Sequence, residues 1–347
     1  MKKVRFGIIG AGGIADRRTL PGMMLAKNVE VTAVMEVNAE LAEKLRAKYS
    51  AKYAYTDAEE LVKNPEVDAV YIASPVVFHC KQAMLAADYG KHILIEKPIS
   101  MDIEEGEKLL EYCENKGVKV AAGFMMRFGA HVMNMKKAVE EGKIGQIVSG
   151  YSQFTLWLPQ DAGNWRLVKA KSGGGSLMDM GVHCIDLIEY ITGSRIVEVG
   201  AFNDTVVFDY DVEDSSTVIL KLDNGAQCVV QTNFNIPDEV AKWRLEFFGT
   251  KGRLMGSNVI GQNDGGTLTG IFMNNVPGYD AQQDHVDTKG VEIEGDFGNM
   301  YTREVESFAD SILNDKPLVV PATDALHVQK VIAAAYKSSE ESKLIKM

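Results

Sequence analysis

The sequence predicts an α/β chain: an N-terminal Rossmann domain with a doubly wound parallel sheet, then a C-terminal α/β domain on a large, mostly antiparallel sheet. Three observations predict it. Short apolar runs alternate with helical patterns as far as residue 122, a glycine-rich turn follows the first run directly, and long alternating segments dominate from Gln146 onward. A chain of 347 residues divides naturally into two domains, each large enough to bury its own core.

The runs VRFGIIG, VEVTAVME, VDAVYIAS, HILIE and VKVAAGF read as strands of repeated βαβ units. Their apolar character is nearly unbroken, as when helices cover both faces of a sheet. Between them, residues 38–49 place Leu41 and Leu45 at helical spacing, and residues 103–115 place Leu109, Leu110 and Cys113 on one stripe. The opening lysines and apolar run imitate a signal peptide, but glycines interrupt the run and a strand followed by a turn uses every residue. With no apolar window long enough for a membrane span, a cytoplasmic protein is expected.

After a helix over 130–141 the texture changes. QIVSGYSQFTLWL, TVILKLDN, AQCVVQTNFNI and KWRLEFFGT alternate as antiparallel strands do. Asp223-Asn224-Gly225 supplies the residues of a tight hairpin, and Gly249 to Gly252 marks a second turn. A large helix over 175–191 interrupts the strands, helices over 301–313 and 324–341 close the chain, and 256–298 reads as weak strands and loops. The expected boundaries are a dinucleotide-binding domain at 1–122, a sheet domain at 123–321 and a C-terminal helix at 322–347.

Composition narrows the partners. Net charge is −11, with 37 basic against 48 acidic residues and no basic block, so nucleic acid is not an expected partner. The four cysteines form no CxxC pair or zinc spacing and read as buried free thiols of a reducing compartment.

Gly10-Ala11-Gly12-Gly13-Ile14-Ala15 is the G-x-G-x-x-A form of the dinucleotide fingerprint, placed between a strand and a helix. Gly10 permits the turn, Gly12 lets backbone approach a pyrophosphate, and Ala15 keeps the helix close to the sheet. Glu36 ends the second strand, where a carboxylate accepts from adenosine ribose hydroxyls and repels a 2′-phosphate. NAD is therefore expected over NADP, although Arg17 and Arg18 offer cations that would admit NADP if they are not simply a solvated face.

Glu96-Lys97-Pro98 ends the fourth run, at the carboxyl edge where open α/β sheets hold ligands. A lysine there is either a surface residue or a catalytic one. Gly173-Gly174-Gly175 introduces a helix with Asp179, His183 and Asp186 on one face. A neutral imidazole accepts a hydroxyl proton near neutrality, and a carboxylate orients it, which suits alcohol dehydrogenation. A satisfied core histidine and a metal site remain alternatives.

Taken in order, the fingerprint, Glu96-Lys97-Pro98 and Asp179 through Asp186 resemble the Gfo/Idh/MocA oxidoreductase family. The resemblance extends through Tyr55-Thr56-Asp57, Ser74-Pro75 with His79, Gly123-Phe124 with Arg127-Phe128, Asn164-Trp165-Arg166, Phe308 and Ala334 to Tyr336. It implies NAD or NADP on the Rossmann domain, a cleft for a sugar or cyclitol, and no metal. It also implies that Lys97 hydrogen-bonds the reacting hydroxyl, His183 is the acid/base, and Asp179 orients substrate or histidine. The expected cofactor-binding residues are Gly10, Gly12, Gly13, Ile14, Ala15, Glu36, Ser74, Pro75, His79, Glu96 and Lys97. Arg127, Trp165, Arg166, Asp179 and His183 are the expected substrate-binding residues, and Tyr301 resembles a late-chain cleft or interface position. Two departures stand out: Val76 where many members carry asparagine, and Glu36 where aspartate is more usual. The family implies a homodimer or homotetramer paired through its large sheets. Two rival functions remain: a glycosidase that retains NAD and oxidises the sugar transiently, and a nucleotide-sensing binding protein without turnover.

Overall fold

The computed structural model describes residues 2–161, 163–275, 278–279, 281 and 288–347. Contacts divide the chain into two units. The first comprises residues up to Phe128 with Asn299–Gln329, and the second Gly129–Gly298 with Lys330–Met347.

In the first unit, β1 (Val4–Ile9), β2 (Val29–Met35), β3 (Tyr53–Tyr55), β4 (Ala69–Ile72), β5 (His92–Ile95) and β6 (Val120–Ala122) form one parallel sheet in the order β3-β2-β1-β4-β5-β6. The order reverses between β1 and β4, where open sheets take ligands at their carboxyl ends. The strand that the apolar runs did not predict is β3, a half-buried Tyr-Ala-Tyr at the sheet edge. Helices start where their caps dictate. Asn38 accepts from the Leu41 N–H, and Asp102 from the Glu105 N–H, each satisfying one of the free donors of a first turn.

The chain divides otherwise than at the expected residues 122 and 321. The helix Met300–Leu313 belongs to the first unit because Val305, Phe308 and Ala309 share one core with Val4, Phe6 and Leu94. The rings of Phe6 and Phe308 lie 6.1 Å apart. Nor is 322–347 a single helix: Ala322–Glu341 is helical, and Ile345–Lys346 is a short strand.

The second unit carries β7 (Ile147–Thr155), β8 (Ile196–Asp204), β9 (Ser215–Leu222), β10 (Gln227–Asn233), β11 (Leu245–Gly249), β12 (Gly252–Ser257), β13 (Thr267–Phe272), β14 (Val291–Glu292) and β15 (Ile345–Lys346). Their order is β14-β13-β12-β11-β7-β10-β9-β8-β15. Neighbours are antiparallel except β7 and β10, which run parallel. The hairpin between β9 and β10 turns at Gly225, whose φ of +89° is the conformation glycine favours. The helix Val182–Thr192 packs on β7 and β10 beside the helix Ala130–Glu140, so that one sheet face is covered. Within the expected loop-rich stretch 256–298, residues 276–277, 280 and 282–287 lie outside the described residues.

All four cysteines are free and buried. Among the described residues, no helix is long and apolar enough to cross a membrane.

Candidate active site

The loop after β1 is shaped by what surrounds its glycines. Gly10 has φ +76°, and a Cβ there would stand 2.6 Å from the Ser74 nitrogen, so the turn after β1 lies directly against the loop after β4. Gly12 donates its N–H to Glu36 Oε2 at 3.1 Å, and Glu36 Oε1 accepts the Val37 N–H at 3.0 Å. Around Gly13, at φ +59°, the space where a Cβ would project is open to 4 Å. The fingerprint thus presents bare backbone, with a fixed carboxylate beside it. Both features fit a dinucleotide, one at the pyrophosphate and one at the ribose.

Ile14 leads into a π-helical turn, Ala15–Thr19, which passes into the α-helix Leu20–Leu25. Pro21 has no N–H to offer the Arg17 carbonyl, which accounts for the widened turn ahead of it. Arg17 is exposed and Arg18 half-buried.

The loops after β4 and β5 are joined by one imidazole. His79 is 2% exposed, with Nε2 2.8 Å from the Ser74 carbonyl oxygen and Nδ1 2.9 Å from that of Pro98. Burial lowers its pKa, against the pull of the two carbonyls. Its ring therefore holds backbone inside the fold, while the Ser74 hydroxyl donates to Gln82 at 2.6 Å and Pro75 is exposed. Glu96 and Lys97 follow β5, both half-buried, and the peptide between Lys97 and Pro98 is cis. The Glu96 carboxyl accepts the Tyr71 hydroxyl at 2.5 Å.

In the second unit, the helical stretch with Asp179 and His183 also opens on a π turn, Leu177–Gly181, ahead of Val182–Thr192. Asp179 lies in the π turn, whereas His183 and Asp186 lie in the α-helix. Asp179 is partly exposed and pairs with Arg166 at 3.3 Å, and the Arg166 guanidinium sits 4.8 Å from the Trp165 ring centroid. His183 is 6% exposed and Asp186 is fully buried. Three expected residues, Trp165, Arg166 and Asp179, are therefore together at the start of the helix that carries His183.

What sequence reasoning missed is the group holding that start in place. Glu213, ahead of β9, accepts the N–H of Gly175 at 2.9 Å, the N–H of Leu177 at 3.0 Å and the hydroxyl of Tyr336 at 2.9 Å. Its own carbonyl takes the Ser176 N–H at 3.1 Å. One residue satisfies the successive free donors that a helix start leaves open.

Two expected residues are placed differently. Arg127 is 3% exposed in the first unit, donating through Nη1 to the Val319 carbonyl at 2.7 Å and to Asp324 at 3.0 Å. Tyr301 is buried against Gly22, where a Cβ would approach the tyrosine Cβ to 2.8 Å.

Residues 4–124 match the model of the oxidoreductase family with an NAD-binding Rossmann fold, and residues 132–255 match the Gfo/Idh/MocA C-terminal domain. The chain belongs to the Gfo/Idh/MocA oxidoreductase family. Residues 4–124, in its first unit, are that family's NAD-binding domain. Among its relatives is the 1,5-anhydro-D-fructose reductase of Ensifer adhaerens, 30% identical over 266 residues, which are 76% of this chain and 79% of the relative. Another is the myo-inositol 2-dehydrogenase of Thermotoga maritima, 26% identical over 99% of this chain and 98% of the relative. Among solved structures, the aldose-aldose oxidoreductase from Caulobacter crescentus, complexed with glycerol, superposes with a TM-score of 0.88 at 24% identity, covering 100% of both chains. That likeness concerns the fold. This Gfo/Idh/MocA chain thus joins a family whose members include NAD(P)-dependent oxidoreductases of sugars and cyclitols.

Proposed function

We propose that this chain interconverts a secondary hydroxyl and a ketone on a sugar, glycoside or cyclitol ring, with NAD as redox partner. Gly10, Gly12, Gly13, Ile14 and Ala15 would hold the pyrophosphate through backbone, and Glu36 the adenosine ribose. Ser74, Pro75, Glu96 and Lys97 would line the nicotinamide end, with His79 positioning the loops that carry them. When bound, NAD supplies the hydride acceptor or donor at nicotinamide C4.

The residues of the chain handle the proton and the position of the substrate. His183 takes the hydroxyl proton as hydride leaves the carbinol carbon, and returns it in the reverse direction. Lys97 donates a hydrogen bond to the reacting oxygen. Asp179 orients substrate or imidazole, Trp165 stacks an apolar sugar face, and Arg166 offers paired donors to neighbouring oxygens. Arg127 is left out because its guanidinium is nearly sealed among Val319 and Asp324.

The observation that carries this reading is the grouping of Trp165, Arg166 and Asp179 at a capped π turn directly before His183. A screen of sugars and cyclitols with NAD, followed at the reduced-nicotinamide absorbance band, tests it. NADH should accumulate with at least one of these polyols. Cleavage of glycosides without accumulation would favour the retained-cofactor glycosidase instead.

Oligomerisation belongs to the same reading. Tyr151, Val229 and Ile219 stand in register across β7, β10 and β9 on the less covered sheet face, and Ile219 is 52% exposed. A second copy of the chain would cover them.

A further inference from the structure

The proposed chemistry leaves one buried carboxyl group of the first unit unused. Glu304, on the helix Met300–Leu313, is 3% exposed, and its Oε1 has no hydrogen-bond partner among the described residues. It borders a cavity of about 10 Å³ together with Ala121, Ala122 and Ser307. Glu96 is close by: its carboxyl packs on Gly123, which follows Ala122 and where a Cβ would stand 3.2 Å from the carboxyl atoms. The charge of Glu96 acts on Glu304 through this apolar interior.

The surroundings of the two carboxyls differ. Glu96 accepts the Tyr71 hydroxyl at 2.5 Å, and with that proton so committed, Thr19 donates to Tyr71 at 2.9 Å. Lys97 adds a positive charge beside Glu96. The charge of Glu304 acts on Tyr301 of its own helix and on Tyr71 of β4, that of Glu96 acts on it from the end of β5, and Arg17 and Arg18 bear on Tyr301 from the turn after the fingerprint. Burial, with Glu96 adding to it, pushes Glu304 well above the ordinary glutamate range. Burial also raises Glu96, but Tyr71 and Lys97 draw it back.

We infer that Glu96 and Glu304 hold a single proton between them at neutral pH, carried by Glu304, and that binding of NAD⁺, but not of NADH, expels it. Two ionised carboxyls in one apolar site repel, so one stays neutral. Glu304 lacks the donor and the lysine that stabilise charge on Glu96, and it takes the proton. The second half rests on the reading that Glu96 and Lys97 line the nicotinamide end. A positive ring there favours the doubly ionised pair, whereas a neutral reduced ring does not. No electrons move in this step; the proton leaves Glu304 for solvent. Glu304 is thus a positioning residue for charge, acting through Glu96 on discrimination between the two cofactor forms.

Two measurements on the full chain separate the parts. Carbon-13 NMR of glutamate carboxyls, without cofactor, should find one carboxyl still protonated at neutral pH and missing in Glu304→Gln. If every glutamate is ionised in the wild type, the shared proton is refuted, whether or not the variant folds. Calorimetry with NAD⁺ and NADH in buffers of different ionisation heat then reads the coupling. NAD⁺ binding should release up to one proton and strengthen by up to about tenfold per pH unit until the pair is ionised. NADH binding in the wild type, and both forms in Glu304→Gln, should give buffer-independent heats. Buffer-independent NAD⁺ heats in the wild type would overturn the coupling while leaving cofactor binding intact. No NAD⁺ binding at all would overturn the cofactor reading itself, and with it the coupling.

Discussion

Glu213 holds Gly175: its carboxylate accepts the glycine N–H at 2.9 Å, and its carbonyl oxygen lies 1.9 Å from where a Cβ on that residue would stand. No side chain fits between them. The same contact fixes the first turn of the stretch that carries Asp179 and His183.

Gly175→Ala should therefore force the turn away from Glu213 and lower the midpoint of thermal unfolding. Glu213→Gln keeps the shape but can no longer accept at both oxygens from Gly175, Leu177 and Tyr336. Leaving a buried donor unmet costs about 1–3 kcal/mol. Urea melts measure this, and stability equal to wild type would refute the capping role.

The Glu36 carboxylate, fixed by Gly12 and Val37, should make NAD bind more tightly than NADP. Glu36→Ser should narrow or reverse that preference. Calorimetric titration with both cofactors decides, and tighter NADP binding by the wild type would show that the charge argument fails.

Much of the fold was legible in the sequence because its signals are local. The five apolar runs, the Gly225 hairpin and the helix Ile103–Asn115 are each specified by neighbouring residues. What escaped depends on distant partners. Nothing near residues 300–313 announces that Phe308 packs on Phe6, and nothing near Gly175 announces a cap supplied 38 positions later by Glu213. The candidate site divides in the same way. The glycine fingerprint, Glu36 and the helix that carries His183 follow from spacing, whereas the π turn that holds Asp179 ahead of that helix does not. The burial of Arg127 follows from Asp324 and the Val319 carbonyl, far along the chain, and an arginine at that position reads equally well as a substrate ligand.

The raised pKa of Glu304 sets a pH dependence of stability. A carboxyl that binds its proton more tightly when folded contributes stability below the ordinary glutamate value, about 4.3, and that contribution is lost as pH rises through the folded value. Glu304→Gln removes this loss. Thermal melts across pH should show the variant gaining on the wild type as the solution becomes more alkaline, and parallel curves would contradict the burial of an ionisable Glu304.

Ile219→Glu places a charge on the exposed sheet face. Light scattering should find an oligomer for the wild type and a smaller species for the variant. A monomeric wild type would remove the proposed role of that face.

The most direct measurement is turnover of the polyol found by screening, compared among wild type, Lys97→Ala and His183→Ala with cofactor affinity measured in parallel. Each variant should lose at least about a hundredfold in kcat/KM, and His183→Ala should still bind NAD nearly as the wild type does, because its imidazole belongs neither to the glycine fingerprint nor to the residues that would line the nicotinamide end. Wild-type turnover in either variant would contradict the assignment of the amine and the imidazole to the reacting hydroxyl.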